Sequence, residues 1–106
     1  MINEISTHEL KKKLEKNEAF TLLDVRDLDE YKTCHIKQST LIPLNELSAK
    51  VETLNKQKPI VVYCKMGGRS AQACVFLQEN GFENVSNLEG GIRKWALEID
   101  PSMPLY

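Results

Sequence analysis

The stretch Pro59-Ile60-Val61-Val62-Tyr63-Cys64-Lys65-Met66-Gly67-Gly68-Arg69-Ser70 decides how the chain reads. Its apolar first half has the look of a buried strand, and that strand ends on a thiol. A short loop follows, and a helix opens from Ser70. The backbone N–H groups of Cys64 to Arg69 can point inward at an anion, and the helix adds its positive end to the same point. A thiol placed there ionises readily, because loop and helix both favour the thiolate over the neutral form. The Gly67-Gly68 pair suits tight curvature, since glycine reaches positive φ at little steric cost. A strand-end cysteine is often plain core, and Val-Val-Tyr-Cys alone favours that reading. Two glycines, Lys65 and Arg69 gathered around one thiol reverse it. The stretch predicts a nucleophilic cysteine in an anion-cradling loop.

Outward from this loop the pattern alternates. Ser6-Thr7-His8-Glu9 has capping-box spacing and predicts a helix through about Lys16, with Leu10 and Leu14 inward. Met1 to Ile5 reads as a short strand before it. Phe20 to Val25 reads as a buried parallel strand whose polar end is Asp24-Val25-Arg26. Asp27 to Lys32 predicts a short helix, and Thr40 to Ile42 a short strand closed by Pro43. Leu44, Leu47, Val51 and Leu54 recur at helical spacing and predict one amphipathic helix. Ser70 to Asn80 is helical with Gly81 as its stop. Val85 to Leu88 is a last strand, Gly90-Gly91 a turn and Ile92 to Leu97 a short helix. Pro101 and Pro104 mark an irregular tail. Strands alternating with helices imply a mostly parallel α/β sheet covered on both faces. In such sheets ligands sit beyond the carboxyl ends of the strands, where both Cys64 and the Asp24–Arg26 segment fall.

Size and charge narrow the function. The 106 residues fit one domain, 1–106, with an apolar fraction of 42% and a charged fraction of 27%. Fourteen basic against fifteen acidic residues leave a net charge of -1, which argues against nucleic acid as an obligatory partner. No apolar run has the length of a membrane span, and Met1-Ile2-Asn3-Glu4 lacks the regions of a signal peptide. A cytoplasmic location is expected. Three cysteines, Cys34, Cys64 and Cys74, with no Cys-x-x-Cys pair, point away from a disulfide scaffold and from a thiolate zinc site. His8 and His35 stand far apart. Neither a metal nor a cofactor is expected.

At this level the chain resembles the rhodanese-like sulfurtransferase domains over nearly its whole length. The resemblance is carried by Leu23-Asp24-Val25-Arg26, Glu30-Tyr31, His35-Ile36 and Ile42-Pro43. It continues through Val62-Tyr63-Cys64 to Arg69-Ser70, and through Leu88-Glu89-Gly90-Gly91-Ile92 with Trp95. The ending, from Trp95 to Tyr106, is similar to rhodanese domains fused behind molybdopterin-synthase adenylyltransferase-type enzymes. Cys34 stands where the family usually has Gly, and Lys37-Gln38-Ser39 where Pro-Gly-Ala is common. The resemblance implies a sheet of about five strands and a persulfide carried on Cys64. Thiosulfate or a protein such as a cysteine desulfurase would donate the sulfur. Cyanide, a thiol or a small sulfur-carrier protein would accept it.

In this reading Lys65, Met66, Gly67, Gly68, Arg69 and Ser70 form the anion-binding loop, with Lys65 and Arg69 adding positive potential. For Arg69 the alternative is a salt bridge to Asp24 or Glu30. Asp24, Arg26, Glu30 and His35 are expected to tie the surrounding loops together rather than act on substrate. Cys74 and Trp95 read as packing, and Cys34 as a loop cysteine. Two other functions compete. A phosphatase or arsenate reductase would want five residues between Cys and Arg, where this chain has only Lys65 to Gly68. A non-catalytic docking or regulatory domain would have little use for the cysteine and its glycines.

Overall fold

The computed structural model describes residues 2–106, so Met1, the first residue of the expected opening strand, lies outside the described residues. Five parallel strands form one sheet: β1 (Asn3–Ile5), β2 (Thr21–Asp24), β3 (Thr40–Leu41), β4 (Ile60–Tyr63) and β5 (Val85–Leu88), in the order β1-β5-β4-β2-β3. The helices are α1 (Thr7–Glu15), α2 (Leu28–Thr33), α3 (Leu47–Lys50), α4 (Gly68–Glu79) and α5 (Gly91–Glu98). The architecture is the α/β arrangement that the alternation predicts. The chain leaves β2 toward β3 and leaves β4 toward β5, in opposite directions from two adjacent strands. A crevice opens at such a reversal, at the strands' carboxyl ends.

Strand alternation splits the core in two. Leu23, Ile60, Val62 and Cys64 pack with Leu47, Val51, Ala73, Cys74 and Leu77 on the face covered by α3 and α4. Leu22, Val61 and Tyr63 pack with Leu10, Ile92 and Trp95 under α1 and α5. The α1 capping box is present: Ser6 Oγ accepts from the Glu9 N–H at 3.1 Å and Glu9 accepts from the Ser6 N–H at 2.9 Å. The expected helix through Leu44 to Leu54 is broken instead. Leu44–Glu46 and Val51–Thr53 are 3-10 turns on either side of the four-residue α3. Its apolar positions still face the core, but Pro43 sets the entry and Leu54 leaves in extended backbone, so a tighter wind carries them. No helix among the described residues is long and apolar enough to cross a membrane.

At the carboxyl end of β2 lies a buried ion pair. Asp24 ends β2, and Arg26 folds back on it, with Nη2 donating to Oδ2 at 2.7 Å and Nε to Oδ1 at 3.0 Å. Both side chains are fully buried. The other guanidinium hydrogens go to the Cys34 carbonyl at 2.7 Å, the Tyr106 hydroxyl at 2.8 Å and the Glu30 carbonyl at 3.4 Å. Burial works against the charge, but the hydrogen bonds to Asp24 and Tyr106 outweigh it and hold Arg26 firmly protonated. The pair thereby pins α2's exit and the C-terminal tail to the end of β2. Replacing Asp24 by Ala leaves a buried cation without its counter-charge, and urea unfolding is expected to show a loss of about 3 to 5 kcal/mol. A loss below about 1 kcal/mol, the level of a surface pair, would contradict this account.

Candidate functional site

Cys64 follows β4 on the α4 side of the sheet and is 1% exposed. The chain turns at Gly67, whose φ of +117° is a left-handed conformation, and α4 begins at Gly68, two residues earlier than the sequence predicts. Only one glycine of the pair is required by the turn. A Cβ at Gly68 would meet nothing within 4 Å, so its place reflects room at the helix start rather than backbone need.

The first turn of α4 closes over the sulfur. Cys64 Sγ accepts from the Gly67 N–H at 3.1 Å and the Ser70 N–H at 3.4 Å, and lies 3.3 Å from Ser70 Oγ. Burial is the strongest single influence on the thiol and opposes its ionisation. The Ser70 side chain and backbone, with the Gly67 and Met66 N–H groups, together outweigh burial and hold the thiol below its ordinary value. Cys74, one turn further along α4, has no such donors, and burial pushes it up to about 12. The start of α4 thus activates the Cys64 thiol in the loop before it, while the thiol on the helix itself stays inert in the core.

A second helix fixes the other side of the loop. The Ile92 N–H donates to the Cys64 carbonyl at 2.9 Å and the Arg93 N–H to the Lys65 carbonyl at 3.1 Å. Gly91, at φ +62°, sits so close that a Cβ would run into the backbone of both Cys64 and Lys65. The Gly90-Gly91 turn therefore serves close approach of helix to loop as well as chain reversal.

The charged residues divide differently from expectation. Arg69 takes the ion-pair alternative: Nη1 and Nη2 donate to the two Glu30 carboxylate oxygens at 2.6 and 2.9 Å. It remains electrostatically coupled to Cys64, but its hydrogens go to Glu30, and Asp24 is held by Arg26. Lys65 Nζ lies 4.6 Å from the centre of the Tyr106 ring. Met66 is 64% exposed at the rim. His35 stacks on Tyr31 with ring centres 3.9 Å apart, and its Nδ1 lies 3.0 Å from the Tyr31 carbonyl oxygen, which ties it to α2. Trp95, on the buried face of α5, packs into the core, and Cys34 stands part-buried against the tail, its Sγ 3.7 Å from the Pro104 carbonyl.

Two contributors escaped the sequence reading. Asn87 is buried on β5; its Oδ1 accepts from Ser70 Oγ at 2.5 Å and its Nδ2 donates to the Gly67 carbonyl at 3.3 Å. The available signal was a polar residue sharing strand parity with the core residue Val85. Tyr106 accepts from Arg26 and donates to Glu30 Oε2 at 2.8 Å, joining the fully buried and the partly buried ion pairs. Nothing local in the tail announces that contact.

The hydrogen bonds from Arg69 draw the Glu30 carboxyl down from 4.5 to about 2; burial opposes them, and the Asp27 N–H and Tyr106 hydroxyl assist. Unfolding returns the group to its ordinary value, so the stabilisation is complete above about pH 4.5 and is lost as pH falls through about 2. The wild type should exceed Glu30→Gln in urea midpoint by a margin that shrinks across that window. A margin independent of pH would remove the Glu30–Arg69 pair from the account.

Comparison with known proteins places these features in a group. Residues 6–98 match the family model described as Rhodanese-like domain. YtwF of Bacillus subtilis (strain 168), which carries a sulfurtransferase name, is 42% identical over 100 residues, 94% of this chain and 96% of that protein. The Arabidopsis thaliana adenylyltransferase and sulfurtransferase MOCS3 is 32% identical over 118 residues, covering 96% of this chain and 25% of the larger protein. A solved rhodanese-related protein from Thermoplasma volcanium superposes with a TM-score of 0.83 at 36% identity, over 92% of this chain and 93% of that one.

Proposed function

The chain belongs to the rhodanese-like family, and we propose from this premise that it is a sulfurtransferase carrying sulfane sulfur as a persulfide on Cys64. The observation that carries the reading is the convergence of the Gly67 and Ser70 N–H groups on Cys64 Sγ. Donors aimed at a sulfur atom stabilise negative charge there, both before attack and when the sulfur departs.

The cycle has two steps. Cys64 thiolate attacks the outer sulfur of the donor, the donor's S–S bond breaks, and the leaving group takes the bonding pair. For thiosulfate that group is sulfite; for a protein persulfide it is a thiolate. A nucleophilic acceptor then takes the terminal sulfur, and the Cys64 S–S bond breaks to return the thiolate. The two steps need no outside oxidant or reductant. Sulfurtransferases fused to adenylyltransferases among the relatives favour a small sulfur-carrier protein as acceptor, with cyanide or a thiol as laboratory substitutes. A cysteine desulfurase is the protein donor that suits this chemistry. We place the reaction in the cytoplasm, where reducing conditions keep such a thiol free. The Arg69–Glu30 pairing and the four-residue spacing between Cys64 and Arg69 speak against phosphate as substrate.

Reduced protein incubated with thiosulfate, or with a cysteine desulfurase and cysteine, should gain the mass of one sulfur atom and release thiocyanate on adding cyanide. Cys64→Ser should abolish both signals, and Cys34→Ser and Cys74→Ser should keep them. No sulfur gain from either donor would sink the proposal and favour a docking domain. Cys64-dependent hydrolysis of an aryl phosphate would favour the phosphatase.

A further inference from the structure

The hydroxyl of Ser70 has one hydrogen and two claimants. Asn87 Oδ1 lies 2.5 Å from Ser70 Oγ, and Cys64 Sγ lies 3.3 Å from it. The orientation of the Asn87 amide settles which claimant holds the hydrogen in the resting site. Its Nδ2 faces the Gly67 carbonyl at 3.3 Å and a Glu4 carboxylate oxygen at 3.4 Å. Both are acceptors, so turning the amide over would set Oδ1 against two oxygens. With the amide locked, two oxygens meet at 2.5 Å, and only the serine can supply a hydrogen between them. Ser70 therefore presents a lone pair to Cys64. That arrangement suits a thiol, whose S–H can donate to Oγ; the hydroxyl favours the thiolate only once its hydrogen has turned to Sγ.

We propose that Asn87 is a positioning residue that holds the Ser70 hydrogen away from Cys64, so that the sulfur gains its hydroxyl donor only when that hydrogen swings over from Asn87. On ionisation the thiol proton leaves to solvent, the Ser70 hydrogen rotates from Oδ1 toward Sγ, and no covalent bond other than S–H changes. Asn87 thereby works against the backbone N–H groups. They favour the thiolate, and it retains the thiol.

Other charges around the sulfur are already engaged or stand further out. Arg69 on α4 is coupled to Cys64 but hydrogen-bonded to Glu30 of α2. Cys74, also on α4, is coupled to Cys64 and held neutral by burial. Glu4 on β1 reaches the site through the Asn87 amide. Lys65 of the loop lies over Tyr106, and Arg93 of α5 lines the same outer edge. None of these groups competes for the Ser70 hydrogen.

The inference rests on Cys64 as the reacting thiol, and its readout is the titration of that thiol, which is independent of any sulfur donor. The pH dependence of Cys64 alkylation by iodoacetamide, located by peptide mass spectrometry, gives the midpoint. Asn87→Leu frees the hydroxyl for Sγ and is expected to lower the midpoint by about one pH unit. In a Ser70→Ala background the same substitution should leave the midpoint where it was. If Asn87 only braced the loop through Gly67, its loss would loosen the N–H donors and raise the midpoint in both backgrounds. Such a rise, or no shift, overturns the proposal. Circular dichroism checks the fold of each variant, and Asn87→Ala gives the same test should leucine disturb it. Failure of the sulfur-uptake experiment together with the expected titration shift would overturn the transfer reaction and leave the Asn87 assignment standing.

Discussion

The Cys64 loop hangs between the N-termini of two helices, and the site depends on that suspension. Loop residues have no strand partner, so their polar backbone atoms must be satisfied from elsewhere or stay wet. Here the N–H groups at the start of α4 turn onto Sγ, while those at the start of α5 take the carbonyls of Cys64 and Lys65. Sulfur and carbonyls are gripped from opposite sides. Gly67, left-handed at the turn, and Gly91, pressed against the loop backbone, stand where each grip closes. Displacing the start of α4 would move the donors off the sulfur, and the thiol would then feel burial with less to offset it; displacing the start of α5 would leave the Cys64 and Lys65 carbonyls without theirs.

Charge has been distributed so that side-chain cations near the loop are mostly spent on the protein itself. Arg26 is consumed by Asp24, the Cys34 carbonyl and Tyr106; Arg69 by Glu30; Lys65 lies on the Tyr106 ring. What remains to meet negative charge at Sγ is the oriented backbone, whose dipoles need no reorganisation when charge develops. This distribution explains why the supporting residues read so strongly in the sequence. Asp24, Arg26 and Glu30 do not touch the sulfur, yet they fix the crevice wall against which the loop is folded.

Much of this was legible beforehand because it is written in local or periodic signals. The apolar run Ile60 to Tyr63, the Ser6 to Glu9 box and the alternation of strands with helices each specify their element without knowledge of the rest. The segment Leu44 to Leu54 misled because apolar spacing of three and four fits a tightened 3-10 path nearly as well as a continuous helix. Ser70 was legible as a loop residue, whereas its partner Asn87 comes from β5, seventeen positions on. Tyr106 meets Arg26 across eighty residues. Contacts of that range are set by topology, and a single sequence carries no local mark of them. Arg69 stood between two readings because the choice depends on where α2 places Glu30, which is again a tertiary fact.

The two halves of the proposed persulfide transfer would ask opposite things of one sulfur. In the first, Cys64 Sγ is the nucleophile, and hydrogen bonds that lower its pKa also blunt its attack. In the second it is the leaving group, and the same bonds speed its departure. A rigid set of donors would have to compromise between them. The Gly67 and Ser70 N–H groups are fixed, but the Ser70 hydroxyl is a rotor with Asn87 at one end of its travel and Sγ at the other. The competing pull of Asn87 on that hydrogen weakens the hydroxyl's hold on the attacking thiolate, so the sulfur would keep more of its nucleophilicity. With the hydrogen on Sγ, the departing thiolate is better stabilised. One hydrogen with two resting places would let a buried, tightly held thiol serve both steps of the proposed transfer without moving the backbone around it.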